Sequence, residues 1–367
     1  MANKNRIAYA ICSAHGIDTT GMSPKEAWEK AKEVADKNEL ADLTQDSPKE
    51  TENEEPKEEK VDYVKLRTGN KLSSQAKDTG KTEFHNYLYE VSNDSPDNEF
   101  LRDLKENYDE IINDVLQRAL TTSDPKKLEK IKTNIGGEIN RKNIERYLTN
   151  KMKKIDEIQQ RYKNDELQDV EIDEQTQLNN VKQEFNEQSK KRNLKKEKKA
   201  TIVLGPAAAG KSSLVGKDYL KDNGMVEIDA DIFKNYIKEY RDDPDNISIV
   251  HEASSKMTKK MLSQALKDGY NVAIPKLGTN KKSIEKVITQ LRDAGYSIEL
   301  SMVGIDPKEN AKRHLSRALS SGRLISSDII GSQYGSKAKA IEETYEALKG
   351  SVDKYSKMVD NKIVERR

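Results

Sequence analysis

With a single cysteine, Cys12, the chain has no means of building an internal disulfide framework or a cysteine-based zinc cage. Aromatic residues make up 5% of the sequence and hydrophobic residues 34%, too little apolar material for one large core across 367 residues. Part of the chain is therefore expected as extended helix or linker. No apolar run approaches the roughly eighteen residues a membrane-spanning helix needs. The opening Met1–Ile7 has basic residues but no apolar stretch behind them, so a secretory signal is not expected. Charge of one sign is also missing: 65 Lys and Arg against 64 Asp and Glu give a net charge of +1. That balance provides no global attraction to nucleic acid or to anionic membrane.

Composition then divides the chain. Ser23-Pro24-Lys25-Glu26 reads as an N-cap, an N1 proline and a capping-box glutamate, with Ala27, Trp28, Ala31 and Val34 following at helical spacing. A small helical hairpin is expected over 1–40. Residues 41–61 form an acidic stretch that has no apolar residue from Thr44 to Lys60 and contains Pro48 and Pro56, the composition of a disordered linker. From 62 to 199 helical periodicity dominates. Leu101, Leu104, Tyr108, Ile111, Val115 and Ala119 step by three and four; Asp124-Pro125 restarts a helix that Gly136-Gly137 breaks; Ile144 to Tyr162 form a third stripe. The pattern thins to Leu178, Val181 and Phe185, which predicts a bundle followed by a polar stalk, with coiled coil as one form of it. The basic run Lys190–Lys199 lacks interleaved aromatics and reads as a solvated helix end, not a nucleic-acid patch.

From Ala200 to Arg367 short β-branched runs alternate with amphipathic helices, the signature of an α/β domain with a parallel sheet. Strands are expected at Thr201–Leu204, Met225–Ile228, Asn271–Ile274, Ile298–Val303 and Lys362–Glu365. Between the first strand and a helix lies Gly205-Pro206-Ala207-Ala208-Ala209-Gly210-Lys211-Ser212-Ser213, which fits G-x-x-x-x-G-K-[ST] in the context that motif requires. Such a loop turns backbone N–H groups around phosphates, Lys211 bridges the β- and γ-phosphates, and the Ser212 hydroxyl holds Mg²⁺. ATP and Mg²⁺ are the expected cofactors. The second strand ends in Asp229-Ala230-Asp231, one acid suited to the metal and its waters, the other to taking a proton from an acceptor hydroxyl. Arg313, Arg317 and Arg323 follow Asp306-Pro307, and guanidinium forks suit phosphate oxygens. His251 and His314 lack partners at metal spacing and read as structural or rim residues. No N-K-x-D follows the loop, which disfavours a GTPase.

These segments in this order resemble the zeta toxin family of P-loop kinases. The resemblance is carried by Gly205–Ser212, Asp229-Ala230-Asp231, Val250–Ser255, Gly269–Val272, Gly278-Thr279-Asn280 and Arg317–Ile330, and it spans roughly Ala200–Arg367. It implies transfer of the ATP γ-phosphate to a sugar-nucleotide hydroxyl, with UDP-N-acetylglucosamine as acceptor. It also implies Lys211, Arg317 and Arg323 at the phosphates, Asp231 as base, and Ser212 with Asp229 at the metal. One departure stands out: where the family carries an acid at the end of the third strand, this chain has Pro275-Lys276-Leu277.

The chain is accordingly expected to be a P-loop kinase domain at 200–367 preceded by an all-α region and a linker. Two other readings stay open at this stage: an ATP-binding module with altered catalysis, and a phage- or mobile-element-associated interaction protein carrying the kinase as cargo. Expected partners are ATP, a small acceptor and an antitoxin-like restraint in cis or in trans. The expected setting is the cytoplasm of a bacterial or phage-infected cell, with virion association as the variant.

Overall fold

The computed structural model describes residues 82–360 and 362–367, together with Glu26, Ala27, Lys30 and Ala31. The chain divides into two units, Met1–Lys60 and Val61–Arg367. In the first, the four described residues are helical, with Ala27 and Ala31 buried one turn apart. The rest of the expected hairpin, the acidic linker and residues up to 81 lie outside the described residues.

The second unit opens with helices α1 (Glu83–Asp94), α2 (Glu99–Glu106), α3 (Tyr108–Leu120), α4 (Pro125–Ile135) and α5 (Arg141–Lys163). The stripe from Leu101 to Ala119 is two helices, not one. Asn107 takes φ −111 and ψ 28, ends α2 and starts α3, while its side chain donates to the Asp103 carbonyl at 3.1 Å. Asp124 caps α4 through the amides of Lys126 and Lys127, and Gly136 ends it at φ 70, a left-handed conformation that glycine adopts without cost. Helix α6 (Glu174–Lys191) is not a free stalk. It lies against the sheet domain with Val181 buried, and buried Gln188 replaces a missing strand: its amide accepts from the Glu227 N–H at 2.8 Å and donates to the Glu227 carbonyl at 3.1 Å. A side chain that satisfies an edge strand is polar, which is why the hydrophobic pattern thins here.

Beyond α6 come β1 (Lys199–Leu204), α7 (Lys211–Leu214), α8 (Lys217–Asp222), β2 (Val226–Glu227), α9 (Ala230–Lys234), α10 (Lys238–Asp242), α11 (His251–Asp268), β3 (Val272–Lys276), α12 (Lys281–Asp293), β4 (Ser297–Gly304), α13 (Pro307–Ser321), α14 (Ser327–Gly331), α15 (Lys339–Leu348), β5 (Lys354–Val359) and β6 (Lys362–Arg366). They form one six-stranded sheet of order β2-β3-β1-β4-β5-β6. All pairings are parallel except β5 with β6, which is antiparallel. The fold is thus α/β with a mostly parallel sheet, preceded by helices. Two details differ from expectation. Strand β5 is a strand the sequence reading lacked, because Lys354-Tyr-Ser-Lys-Met-Val has neither an apolar run nor strict alternation, and none of its residues is fully buried. And Lys362–Arg366 closes the sheet antiparallel, so the sheet is not wholly parallel.

The basic run leaves its helix after Lys191. Lys195 donates to the Asp222 carbonyl at the end of α8 and Lys198 to the Ala294 carbonyl at the end of α12, each at 2.9 Å. Arg192 pairs with Glu227 at 2.9 Å, and the Lys196 ammonium lies 4.6 Å from the centre of the Tyr270 ring. Cations at helix C-termini meet unpaired carbonyls and the negative end of the helix dipole.

One apolar core lies between the sheet and α11, α12 and α15. A second joins α1–α5 to the α13–α14 segment: Phe84, Phe100, Leu104, Ile111, Val115, Ile135 and Leu148 pack in one cluster with Ala311, Leu315, Leu319, Ile330 and Tyr334. The front helices and helix α13 therefore share a core.

Candidate active site

Strand β1 delivers the chain to Gly205 at the carboxyl end of the parallel strands, where open α/β sheets bind ligands. A Cβ on Gly205, at φ 156, would stand 2.6 Å from the Val303 carbonyl oxygen; on Gly210, at φ 102, it would stand 3.2 Å from Nη1 of Arg313. Both positions need glycine because backbone and guanidinium come this close. Ala208 is held at φ 59, a strained conformation for a residue with a side chain. Lys211 folds back over the loop and donates to the carbonyls of Gly205 and Pro206 at 2.7 and 2.9 Å. No carboxylate bonds it. Desolvation pushes its ammonium down to about 8, opposed by the charges of Asp229 and Asp231.

Asp229 caps α9 by accepting from the Asp231 N–H at 2.9 Å, which places both acids at the mouth of the loop. Asp231 is held on both oxygens, by Lys234 at 2.8 Å and by Arg323 at 2.5 Å. Burial pushes its carboxyl up, but those two cations prevail and hold it well below the usual carboxylate range. Asp229 moves the other way, raised by burial and then by the charge of Asp231. Arg317 is different from both its neighbours: among the described residues its guanidinium has no hydrogen-bond partner, and desolvation followed by repulsion from Arg323 lowers its pKa. A desolvated cation without an anion is an incomplete site.

The predicted residues converge. Ala207, Ala208, Gly210, Lys211, Ser212, Asp229, Asp231, Arg317 and Arg323 line one cleft of about 380 Å³, together with Arg313, Glu227 and Pro275. Gly205, Pro206 and Ala209 belong to the same loop, and Ser213 lies in the first turn of α7 with its amide on the Gly210 carbonyl at 2.8 Å. Pro275 stands opposite Val203 in the β1–β3 register and faces the cleft where an acid was expected from the resemblance. Lys276 beside it is lowered by desolvation and has no ion-pair partner.

Two supporting residues, Asn310 and Gln333, escaped the sequence reading, and a third, His314, was expected only as a structural or rim residue. The Ala207 N–H donates to Oε1 of Gln333 at 2.7 Å, and its carbonyl accepts from Nδ2 of Asn310 at 2.8 Å. His314, 3% exposed, is held neutral: burial first, then Arg317 and Lys211, push it down to about 3. It is structural, as expected, but its place is beneath the phosphate loop. The only signal in the sequence is that Asn310 and His314 share a helix face with the apolar Ala311, Leu315 and Ala318.

A glycine-rich loop between a parallel strand and a helix, with a lysine over it and arginines facing it, defines a P-loop phosphotransferase architecture. A sequence model described as zeta toxin matches residues 182–367, and the chain belongs to that family of P-loop kinases. No curated protein matches. Among solved structures, the chain is similar to one from the PezAT chromosomal toxin–antitoxin system of Streptococcus pneumoniae, at 15% identity and a TM-score of 0.45, covering 53% of this chain and 83% of that one. It is also similar to one from the AvrRxo1-ORF1:-ORF2 complex, at 17% identity and a TM-score of 0.34, covering 67% and 72%. The family match begins within α6, so helices α1–α5 lie outside it. Among the described residues no helix is long and apolar enough to cross a membrane.

Proposed function

We propose that the chain transfers the γ-phosphoryl group of ATP to a hydroxyl of a sugar nucleotide, UDP-N-acetylglucosamine by resemblance to its family. The observation that carries this reading is the meeting, in one cleft, of a desolvated Lys211, an unpartnered Arg317 and the acid Asp231. The first two await an anion, and the third stands where an acceptor hydroxyl would need a base.

The residues fit a metal-bound triphosphate. Ser212, exposed at the start of α7, and Asp229 would hold Mg²⁺, an ion that needs only one or two protein oxygens beside phosphate. Mg²⁺ supplies charge neutralisation at the phosphates. Lys211 exchanges its two loop carbonyls for phosphate oxygens, and Arg317 stabilises charge on the transferring group. Arg323 is placed to exchange Asp231 for a phosphate oxygen, which leaves one carboxylate oxygen free to accept the hydroxyl proton. The acceptor oxygen bonds to the γ-phosphorus as the bond to the bridging oxygen breaks; ADP leaves, and the proton passes to Asp231. Pro275 contributes no donor or charge to this cleft, so acceptor choice falls to other residues around it.

The test is incubation of the full chain with ATP, Mg²⁺ and a panel of sugar nucleotides, followed by mass spectrometry of the acceptor. A mass gain of one phosphate on a sugar nucleotide supports the reading; nucleotide binding without transfer to any acceptor would leave an ATP-binding module.

A further inference from the structure

We propose that Arg118, on the helices outside the family match, is a positioning residue of the phosphate site. It holds Arg313 over the P-loop through Glu309. The assignment rests on the cleft being a nucleotide site.

Helix α3 presents Glu110, Asp114 and Arg118 at successive i, i+4 positions, one face of a helix. That face meets α13. Glu110 pairs with Lys312 at 2.8 Å and with Lys308 at 3.5 Å, while Arg118 reaches both oxygens of Glu309, Nη1 to Oε1 at 3.1 Å and Nη2 to Oε2 at 2.7 Å. Asp114 also pairs with Arg118 and fixes the guanidinium from behind. Oε1 of Glu309 accepts a second bond, from Nε of Arg313 at 2.8 Å. Arg313 in turn donates through Nη1 to the Ala209 carbonyl at 2.9 Å. Its Nη2 has no partner among the described residues, and the side chain lines the cleft.

The arrangement differs from a surface ion pair in what it orients. A bidentate carboxylate–guanidinium contact fixes the plane of both groups. Glu309, held by Arg118, can therefore present Oε1 to Arg313 in one direction only, which fixes the guanidinium at the wall of the cleft. The same bundle steadies the loop by a second path. Buried Asn98 donates to the Ser327 carbonyl at 2.9 Å and sits where a Cβ on Gly331 would be 2.5 Å away, and the Phe100 ring packs on Tyr334 and His314 at 5.4 and 6.0 Å. Those contacts brace His314 and Tyr334, next to Gln333, which binds Ala207. Helices outside the family's segment thus hold the phosphate loop at two points.

The experiment uses the full chain carrying Arg118→Ala, Glu309→Gln, both together, and Arg118→Lys. Titration calorimetry gives MgATP affinity, and amide hydrogen exchange at Ala207–Gly210 without nucleotide gives loop order. Coupling through such a network is expected to cost about three- to tenfold. Arg118→Ala and Glu309→Gln should each weaken MgATP by that factor and speed loop exchange, the double variant should be no worse than either single, and Arg118→Lys should recover part of both. Unchanged affinity and exchange with a lowered melting temperature would reduce Arg118 to packing. Tighter ATP binding in Arg118→Ala would make the bundle a restraint and overturn the proposal. Should the unaltered chain bind no MgATP, the nucleotide reading fails, and the exchange measurement alone still decides whether Arg118 orders the loop.

Discussion

Arg323 reaches across the cleft and donates to Oδ2 of Asp231, a residue 92 positions earlier in the chain, while Lys234 occupies Oδ1. A carboxylate held this way is a poor base until one cation leaves, and the cation with an alternative anion in reach is Arg323. Asp231→Asn should lower phosphoryl transfer by about 10²–10⁴, the range general-base catalysis supplies. ATP affinity should hold within a few-fold or tighten, because two cations lose their internal anion. Steady-state transfer assays with parallel calorimetry measure both; loss of ATP binding in this variant would reassign Asp231 to the metal.

Lys211→Ala should abolish measurable MgATP binding at concentrations that saturate the unaltered chain. The ammonium lies over the loop, not in either apolar core, and its present partners are two backbone carbonyls that water can reach once it is gone. Far-ultraviolet circular dichroism and the melting temperature should barely change. Calorimetry showing equal affinity would end the P-loop reading.

His314 gives a pH dependence with a definite sign. Its folded pKa of about 3 lies below the ordinary value of 6.5, so between those limits the unfolded chain binds a proton that the folded chain refuses. Stability from this group is complete above pH 6.5 and is lost as pH falls toward 3, with a slope of about 1.4 kcal/mol per pH unit. Urea unfolding at a series of pH values should show this slope, and His314→Gln should flatten it by one proton. An identical slope in the variant would mean that His314 is solvated.

The chemistry was legible where several residues must occur together. Gly205, Gly210, Lys211 and Ser212 fit one motif with fixed spacing, and Asp229-Ala230-Asp231 follows a strand. The supports were illegible for a physical reason: Gln188, Asn310 and Gln333 act singly, by hydrogen bonds to backbone atoms far away in sequence, and single polar residues leave no period. Strand β5 was missed for the same want of pattern. The shared core was the largest surprise. Leu315 and Ala318 of α13 had no place in the sequence reading, and no spacing rule says that a helix after a strand packs with Ile111 and Val115 instead of on its own sheet.

That shared core makes the last prediction. Leu315 is fully buried among front-half residues, and α5 adds a low-exposure ion pair between Lys151 and Asp245, 13% and 4% exposed. If residues 82–367 fold as one cooperative body, Leu315→Ala should cost about 2–5 kcal/mol. Asp245→Asn, which leaves Lys151 without its closest anion, should cost about 3 kcal/mol. Both variants should shift a single unfolding transition, seen alike by circular dichroism for the helices and by amide exchange at β1 and β3. Two separate transitions, with Leu315→Ala moving only one, would show that the front helices fold apart from the kinase sheet and merely rest on it.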